Sequence, residues 1–261
     1  MTATPGVFFS SPRPSRRSGG NTNESDTVIV VDLDVISYDE GLRIQKMIHA
    51  ARAAGRGEDI LLLLEHNPVV TFGKKATEED MLVPQSELEA KGIAVRHVGR
   101  GGKITCHYPG QLVGYPIIRL MTPHIDIPSF VFHLEEMIID CLSKFRVQAS
   151  RIENLRGVWV DGRKMAAVGV EVSKDVTMHG FSLNVFEDNQ LYHLFIPCGI
   201  ADRGVTFLEH HIDIGSEALM NRLKDRIVRS FSFVFAMPIT ARLSWDAFEH
   251  RYPEMLNEEM L

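Results

Sequence analysis

Val28-Ile29-Val30-Val31 is an uninterrupted β-branched run and predicts a first strand. Ile44, Met47, Ile48 and Ala51 then recur at helical spacing, so one apolar face forms before Gly55 stops the helix. Ile60 to Leu64 is continuously apolar and short, the pattern of a strand buried on both sides. Val69-Val70-Thr71-Phe72 and Ile93 to Val98 read as further strands, feeding the Gly-rich segment Gly99-Arg100-Gly101-Gly102.

Lys103 to His107 and Leu112 to Ile118 look extended, separated by a turn at Tyr108-Pro109-Gly110. An amphipathic helix follows, capped by Asp126, with Val131, Leu134, Ile138, Cys141, Leu142 and Phe145 on its apolar face. Val158-Trp159-Val160-Asp161-Gly162-Arg163-Lys164 carries the Asp-Gly signal of a tight hairpin, and Thr177 to Val185 is a later strand. Ser216 caps a last long helix to about Phe231, with extended chain expected near Phe233 to Met237. Hairpins alternate with helical crossovers, and neither a repeat nor a linker interrupts them. The expected fold is α/β (α+β), one domain from residue 27 to 261 with a mixed sheet flanked by helices.

Residues 1–26 hold Pro5, Pro12, Pro14, Gly19, Gly20 and five serines, and no acid precedes Glu24. This composition predicts a disordered tail. Organelle transit peptides are also Arg- and Ser-rich and acid-poor, but the periodic apolar face is missing.

The 261 residues are 44% hydrophobic, enough to bury roughly 70% of the unfolded surface. A formal net charge of −6 argues against nucleic acid as a partner, because phosphate neutralisation needs clustered Lys and Arg. No apolar run approaches the roughly 18 residues that span a bilayer, so no membrane partner is expected. Cys106, Cys141 and Cys198 are odd in number and irregular in spacing, which fits a reducing cytoplasm better than a disulfide framework.

Chemistry concentrates at Pro197-Cys198-Gly199, where a thiol stands between a rigid and a flexible residue just after the apolar run Leu194-Phe195-Ile196. An ordinary thiol, with a pKa of about 8.5, is only slightly ionised at neutral pH, so a nucleophilic Cys198 needs a nearby cation. Lys164 can supply it. Unit charges about 4 Å apart at an effective dielectric near 20 attract by roughly 4 kcal/mol before desolvation, enough to lower the thiol by one or two pH units. The bland alternative makes Cys198 a small core residue and Lys164 an exposed hairpin lysine. Cys141 sits on a helical apolar face and is assigned to packing. Cys106 adjoins His107, but neighbouring strand residues point to opposite faces, so the two side chains diverge.

Arg100-Gly101-Gly102-Lys103-Ile104-Thr105-Cys106-His107 offers bare amides and cations, yet Ile104 stands where a P-loop needs Ser or Thr. The glycines can still bring backbone close to a ligand chain. His107, His179 and Cys198 lack the close spacing of recurrent metal sites, so no metal is expected, and the histidines are read as hydrogen-bonding groups shaping a pocket.

Several stretches together resemble the lipoyl(octanoyl) transferases of the biotin/lipoate protein ligase superfamily. They are Leu61-Leu62-Leu63-Leu64-Glu65-His66-Asn67-Pro68 with Thr71-Phe72-Gly73, Arg100-Gly101-Gly102 through Thr105, and His107 with Pro109-Gly110-Gln111. Gly157-Val158-Trp159-Val160 with Lys164-Met165-Ala166-Ala167-Val168-Gly169, His179-Gly180-Phe181-Ser182-Leu183-Asn184-Val185 and Pro197-Cys198-Gly199 complete the set. The resemblance spans roughly residues 38 to 235. It implies that Cys198 is the acyl-thioester nucleophile and Lys164 the residue that lowers its pKa. It also implies an octanoyl site lined by Arg100, Gly101, Gly102, Lys103, Ile104, Thr105, Cys106 and His107, with Ala167, Val168 and Gly169 and with Gly180, Phe181 and Ser182. The implied donor is octanoyl-acyl carrier protein. The implied acceptors are lipoyl domains of 2-oxoacid dehydrogenase complexes and the glycine cleavage H protein, and no cofactor is required.

The cations from Thr71 to Lys75, with Arg96, Arg100 and Lys103, are candidates for facing an acidic carrier. Two positions depart from the family pattern. Tyr108 stands where Gly is usual in the His-Gly-Pro-Gly-Gln run, and Gly99 replaces a charged residue. The competing readings are an ATP-dependent lipoate or biotin ligase, which needs no nucleophilic cysteine, and a non-catalytic carrier-binding module. Cys198 in its Pro-Cys-Gly setting argues against the first, and retention of both Lys164 and Cys198 against the second.

Overall fold

Alternating apolar runs and helical stripes fold into two sheets in the computed structural model, which describes residues 27–120, 126–188, 191, 192, 194, 203–213 and 216–256. The larger sheet takes β1 (Val28–Ile36), β2 (Asp59–His66), β6 (Gln111–Ile117), β7 (Ser150–Ile152), β8 (Leu155–Val160), β9 (Arg163–Ser173), β10 (Val176–Asn184) and β11 (Ile239–Ser244). Its order is β11-β1-β2-β6-β10-β9-β8-β7. The pairs β11–β1 and β1–β2 are parallel and the remainder antiparallel, so the sheet is mixed, as expected. A second, three-stranded sheet, β4-β3-β5, is formed by β3 (Val69–Phe72), β4 (Ala94–His97) and β5 (Ile104–His107). The sequence predicts its strands but not their separation from the large sheet.

Helix α1 (Tyr38–Ala53) starts where Ser37 Oγ accepts from Glu40 N at 3.2 Å. It lays Ile44, Met47, Ile48 and Ala51 against Ile29, Val31, Ile60, Leu62 and Leu64. The opposite face of the sheet is covered by α3 (Ile127–Ser143) and α4 (Ser216–Phe235). Asp126 caps α3, its carboxylate accepting from Ser129 N at 2.8 Å. From these helices Phe130, Leu134, Ile138, Leu142, Leu223, Ile227 and Phe231 pack on Leu61, Leu63, Phe181 and Leu183. Cys141 lies in the same core, where burial pushes its thiol up. A third cluster joins the small sheet to Leu191, Leu194 and Phe207.

The C-terminal region differs from expectation. Helix α4 continues through Phe233 to Phe235, and the extended chain is β11, further on. Extended chain does not form near Phe233, because Phe231 and Phe235 stack on each other at 4.5 Å and Phe235 tilts onto Phe130 of α3. Tertiary packing overrides local propensity there. Ala236, at φ 54°, ends the helix, and Pro238 follows. Helix α3 also stops at Ser143, short of Phe145. Helices α2 (Gln85–Ala90) and α5 (Trp245–Arg251) and strand β7 have no counterpart in the periodicity reading.

Among the described residues no helix is long and apolar enough to cross a membrane. The expected tail, residues 1–26, lies outside the described residues.

Candidate active site

The Asp161-Gly162 turn adopts φ 49° and 75°, the paired positive angles of a tight hairpin turn, and so joins β8 to β9. A register shift between Val158 and Trp159 inserts one extra residue in β9. Met165 enters the core under α3 and α4, and its neighbour Lys164 turns the other way. Lys164 is only 7% exposed, so it is not a free hairpin lysine. Its ammonium lies 5.5 Å from the centre of the Trp159 ring. Gly157 makes room for it: at φ 113° it holds a conformation that favours glycine, and a Cβ there would stand 2.6 Å from Lys164 Cε. The Gly157 amide donates to Glu135 of α3 at 2.7 Å, and Arg151 fixes that carboxylate at 3.0 Å.

The backbone of Lys164 is a docking edge. Its N–H donates to Gly204 O at 3.1 Å, and its carbonyl accepts from Thr206 N at 2.9 Å, making a parallel bridge with Val205. On the other side of residues 195–202, Leu194 O accepts from Leu82 N at 3.0 Å. Pro197, Cys198 and Gly199 themselves lie outside the described residues.

Three of the predicted lining segments come together. Strands β9 and β10 pair Ala167 with Ser182, Val168 with Phe181 and Gly169 with Gly180. The Gly101 amide donates to Val170 O at 3.1 Å, and a Cβ on Gly169 would approach Gly101 O to 2.9 Å, so the Arg100–Gly102 loop lies directly on β9. Ala167, Gly169, Gly180 and Ser182 share one face of the sheet, a strip of small side chains under that loop. Val168 and Phe181 alternate to the opposite face, into the core beneath α3 and α4.

Arg100 is buried and committed to structure. Its guanidinium donates to Thr71 O and Thr71 Oγ1, both at 2.7 Å, and to Gly101 O at 3.1 Å. Gly102, at φ 91°, accepts from Lys75 N at 3.0 Å. Lys103 pairs with Asp80 at 2.8 Å, Arg96 with Asp39 at 2.6 Å and Lys74 with Glu171 at 2.8 Å. The cations expected to face a carrier are therefore largely engaged within the chain. Ile104 and Cys106 point into the small-sheet core, and Thr105 pairs across the ladder with Thr71.

His107 points away from Cys106 and stacks on Tyr38 at 6.0 Å, beside His66 at 5.5 Å. Its Nδ1 donates to Gln111 Oε1 at 2.7 Å. Gln111 Nε2 donates to Asn184 Oδ1 at 3.0 Å, and Asn184 Nδ2 donates to Thr206 O at 3.3 Å. That terminal carbonyl can only accept, so it orients both amides and leaves Nε2 of His107 with the lone pair. Tyr192 OH also donates to Asn184 Oδ1 at 2.7 Å, and Thr206 Oγ1 meets His211 Nε2 at 2.8 Å. Nearby, Tyr115 OH donates to His66 Nε2 at 2.8 Å. Burial lowers His66 to about 4 and His179 to about 3, and it holds His107 well below its ordinary value. Burial likewise raises Tyr38 to about 12. This is a neutral, dry polar layer at pH 7.

Both departures from the family pattern have a local explanation. Tyr108 does not adopt positive φ, whereas Gly110 does, at 105°. The Tyr108 ring is fully buried, packs edge-on against Tyr192 at 6.0 Å, and its hydroxyl donates to Phe186 O at 3.2 Å. At Gly99 a Cβ would collide with the Glu171 carboxylate, which occupies the space a side chain would need. Gln111, Asn184, Thr206, Tyr192 and Gly157 were not singled out from sequence. Gln111, Asn184 and Gly157 lie within the quoted motifs, but nothing local marks Thr206 or Tyr192.

The chain matches the lipoyl protein ligase A/B catalytic domain family over residues 37–232 and belongs to it. Solved relatives repeat the fold. Lipoate-protein ligase A bound with ATP superposes with a TM-score of 0.67 at 15% identity, covering 90% of this chain and 95% of that one. A bipartite lipoate protein ligase from Thermoplasma acidophilum gives 0.67 at 16%, covering 89% and 92%. Sequence separates the branches. The octanoyltransferase of Caldicellulosiruptor saccharolyticus is 40% identical over 205 residues, 78% of this chain and 86% of that protein. That of Chloroflexus aggregans is 39% identical over 219 residues, 82% and 98%. The chain is accordingly an acyltransferase of the octanoyltransferase branch.

Proposed function

We propose that this enzyme moves an octanoyl group from octanoyl-acyl carrier protein to a lysine of a lipoyl domain through a thioester on Cys198. The observation that carries this reading is the buried Lys164, whose backbone is bonded to Gly204 and Thr206, a few residues beyond Cys198 in the chain. A cation held there is suited to keeping the Cys198 thiol ionised. The Cys198 thiolate attacks the carrier thioester, forming one C–S bond as the bond to the phosphopantetheine sulfur breaks. The departing thiolate takes its proton from the Lys164 ammonium. The neutral amine of the acceptor lysine then attacks the new thioester, a C–N bond replaces the C–S bond to Cys198, and the amine's surplus proton returns to Lys164. Thioester exchange is near thermoneutral, so no nucleotide is consumed.

The strip Ala167, Gly169, Gly180 and Ser182 under the Arg100–Gly102 loop is proposed to take the acyl chain, with Val168 and Phe181 contributing backbone there and packing elsewhere. Lys103, Ile104, Thr105 and Cys106 build the loop and the small sheet that hold His107 in place. The glycine cleavage H protein and the lipoyl domains of 2-oxoacid dehydrogenase complexes are the proposed acceptors, and the cytoplasm the proposed setting.

Intact mass after incubation with octanoyl-acyl carrier protein, without nucleotide, tests this. An octanoyl adduct is expected in the wild type, none in Cys198→Ser, and a rate of adduct formation about 10²-fold slower in Lys164→Ala. Absence of the wild-type adduct, or an adduct that requires ATP, rejects the reading.

A further inference from the structure

Asn184 closes β10 and faces Gln111 across the ladder, 5% exposed, with every polar atom of its side-chain amide used in a distinct direction. Its oxygen accepts from Tyr192 OH at 2.7 Å and from Gln111 Nε2 at 3.0 Å, and its nitrogen donates to Thr206 O at 3.3 Å. Tyr192 precedes Cys198 in the chain and Thr206 follows it. One side chain on a rigid strand therefore ties both flanks of the Pro197-Cys198-Gly199 segment. Thr206 is at the same time the residue whose N–H is bonded to the Lys164 carbonyl. The Asn184 amide thus holds the residue before and the residue after the cysteine segment, and reaches the Lys164 backbone through Thr206.

We propose that Asn184 is a positioning residue for the cysteine–lysine pair, rather than only a member of the buried polar layer. The inference rests on the reading that Cys198 and Lys164 act together. Tyr192 and Thr206, on either side of Cys198 in the chain, are both held by the Asn184 amide, and each such bond reduces the range of placements open to the thiol relative to the ammonium. A loss of about 1 Å in placement is worth up to about 10² in rate. It also weakens the attraction that lowers the thiol, because that attraction falls with distance. Removing the Asn184 amide should then move a chemical property of Cys198, a sulfur that Asn184 need not touch.

The test uses the full chain and two neutral substitutions. Asn184→Ala removes all three bonds, and Tyr192→Phe removes one hydroxyl, which bonds Asn184 Oδ1 and also accepts from Gln111 Nε2 at 3.3 Å, while keeping the ring. The pH dependence of Cys198 alkylation by iodoacetamide, read by peptide mass, reports the thiol, and single-turnover acylation by octanoyl-acyl carrier protein reports the chemistry. Asn184→Ala is expected to shift the alkylation profile upward, toward the ordinary thiol value of about 8.5, and to slow acylation about 10- to 100-fold, with KM for the carrier little changed. Tyr192→Phe is expected to do the same to a smaller degree, and it decides alone if Asn184→Ala does not fold. Folded variants that melt lower but keep the wild-type alkylation profile and acylation rate overturn the proposal. A wild type that forms no octanoyl adduct overturns the underlying function instead, so the two failures are distinguishable.

Discussion

Strands β9 and β10 present two unlike faces built from the same two stretches of chain. Toward α3 and α4 they set Ala166, Val168, Val170, Phe181 and Leu183, which fill a close-packed aliphatic and aromatic core. On the other face they set Ala167, Gly169, Gly180 and Ser182, then Asn184 and its polar partners. Period-two alternation makes this division, so a single strand can stabilise with one set of residues and bind with the next. Small side chains leave a strip on which a backbone loop can lie and a flexible chain can rest. Large ones would close it.

The comparison can be broken from either side. The largest effect expected is on the core face. Phe181→Ala empties a filled site and should lower unfolding stability by about 3–5 kcal/mol in denaturant melts, while the acylation rate per folded molecule changes little. A comparable loss of rate in the folded fraction would mean that the two faces are not separable.

Acid should act on the opposite side. His66 is held neutral with its pKa near 4 in the folded chain, against about 6.5 when unfolded, and His107 and His179 are lowered as well. Between those values the unfolded chain binds more protons, so stability is fully present above pH 6.5 and is lost as pH falls toward 4. The loss is on the order of 3 kcal/mol for His66 alone. Thermal melts from pH 7 to pH 4 should fall steeply, and the replacement His66→Gln should flatten that slope. A pH-independent melting temperature would contradict the neutral assignment.

The smallest effect is also the most selective. Ala167 is half-buried on the small-residue strip, and Ala167→Leu should reduce octanoyl transfer by about tenfold while sparing a two-carbon acyl donor. Equal losses for both donors would remove the strip from the acyl path.

Much of this was readable along the chain. The buried strand Ile60–Leu64, the amphipathic stripe of α1, the Asp126 cap and the Asp161-Gly162 turn follow from periodicity and turn chemistry, and each formed where expected. The divergence of Cys106 and His107 followed from strand alternation alone. The end of α4 did not, because aromatic residues with strand propensity were held helical by stacking on α3. The partners of the cation cluster were hidden for a related reason. Sequence shows Arg96, Lys103 and Lys74 near one another, but their partners Asp39, Asp80 and Glu171 are brought to them only by the fold.

The sequence by itself determined the strands and principal helices and the family, and through the family resemblance nominated Cys198 and Lys164 for test, because these depend on residue type and on motifs read along the chain. Only the tertiary structure decided that Lys164 is buried against Gly157 and Trp159, that Val168 and Phe181 turn from the strip, and that Asn184 gathers Tyr192, Gln111 and Thr206. Those facts depend on register, a one-residue bulge and contacts between distant segments. Hydrogen bonds and exclusion of water act through space, and no local pattern encodes which remote group will complete them.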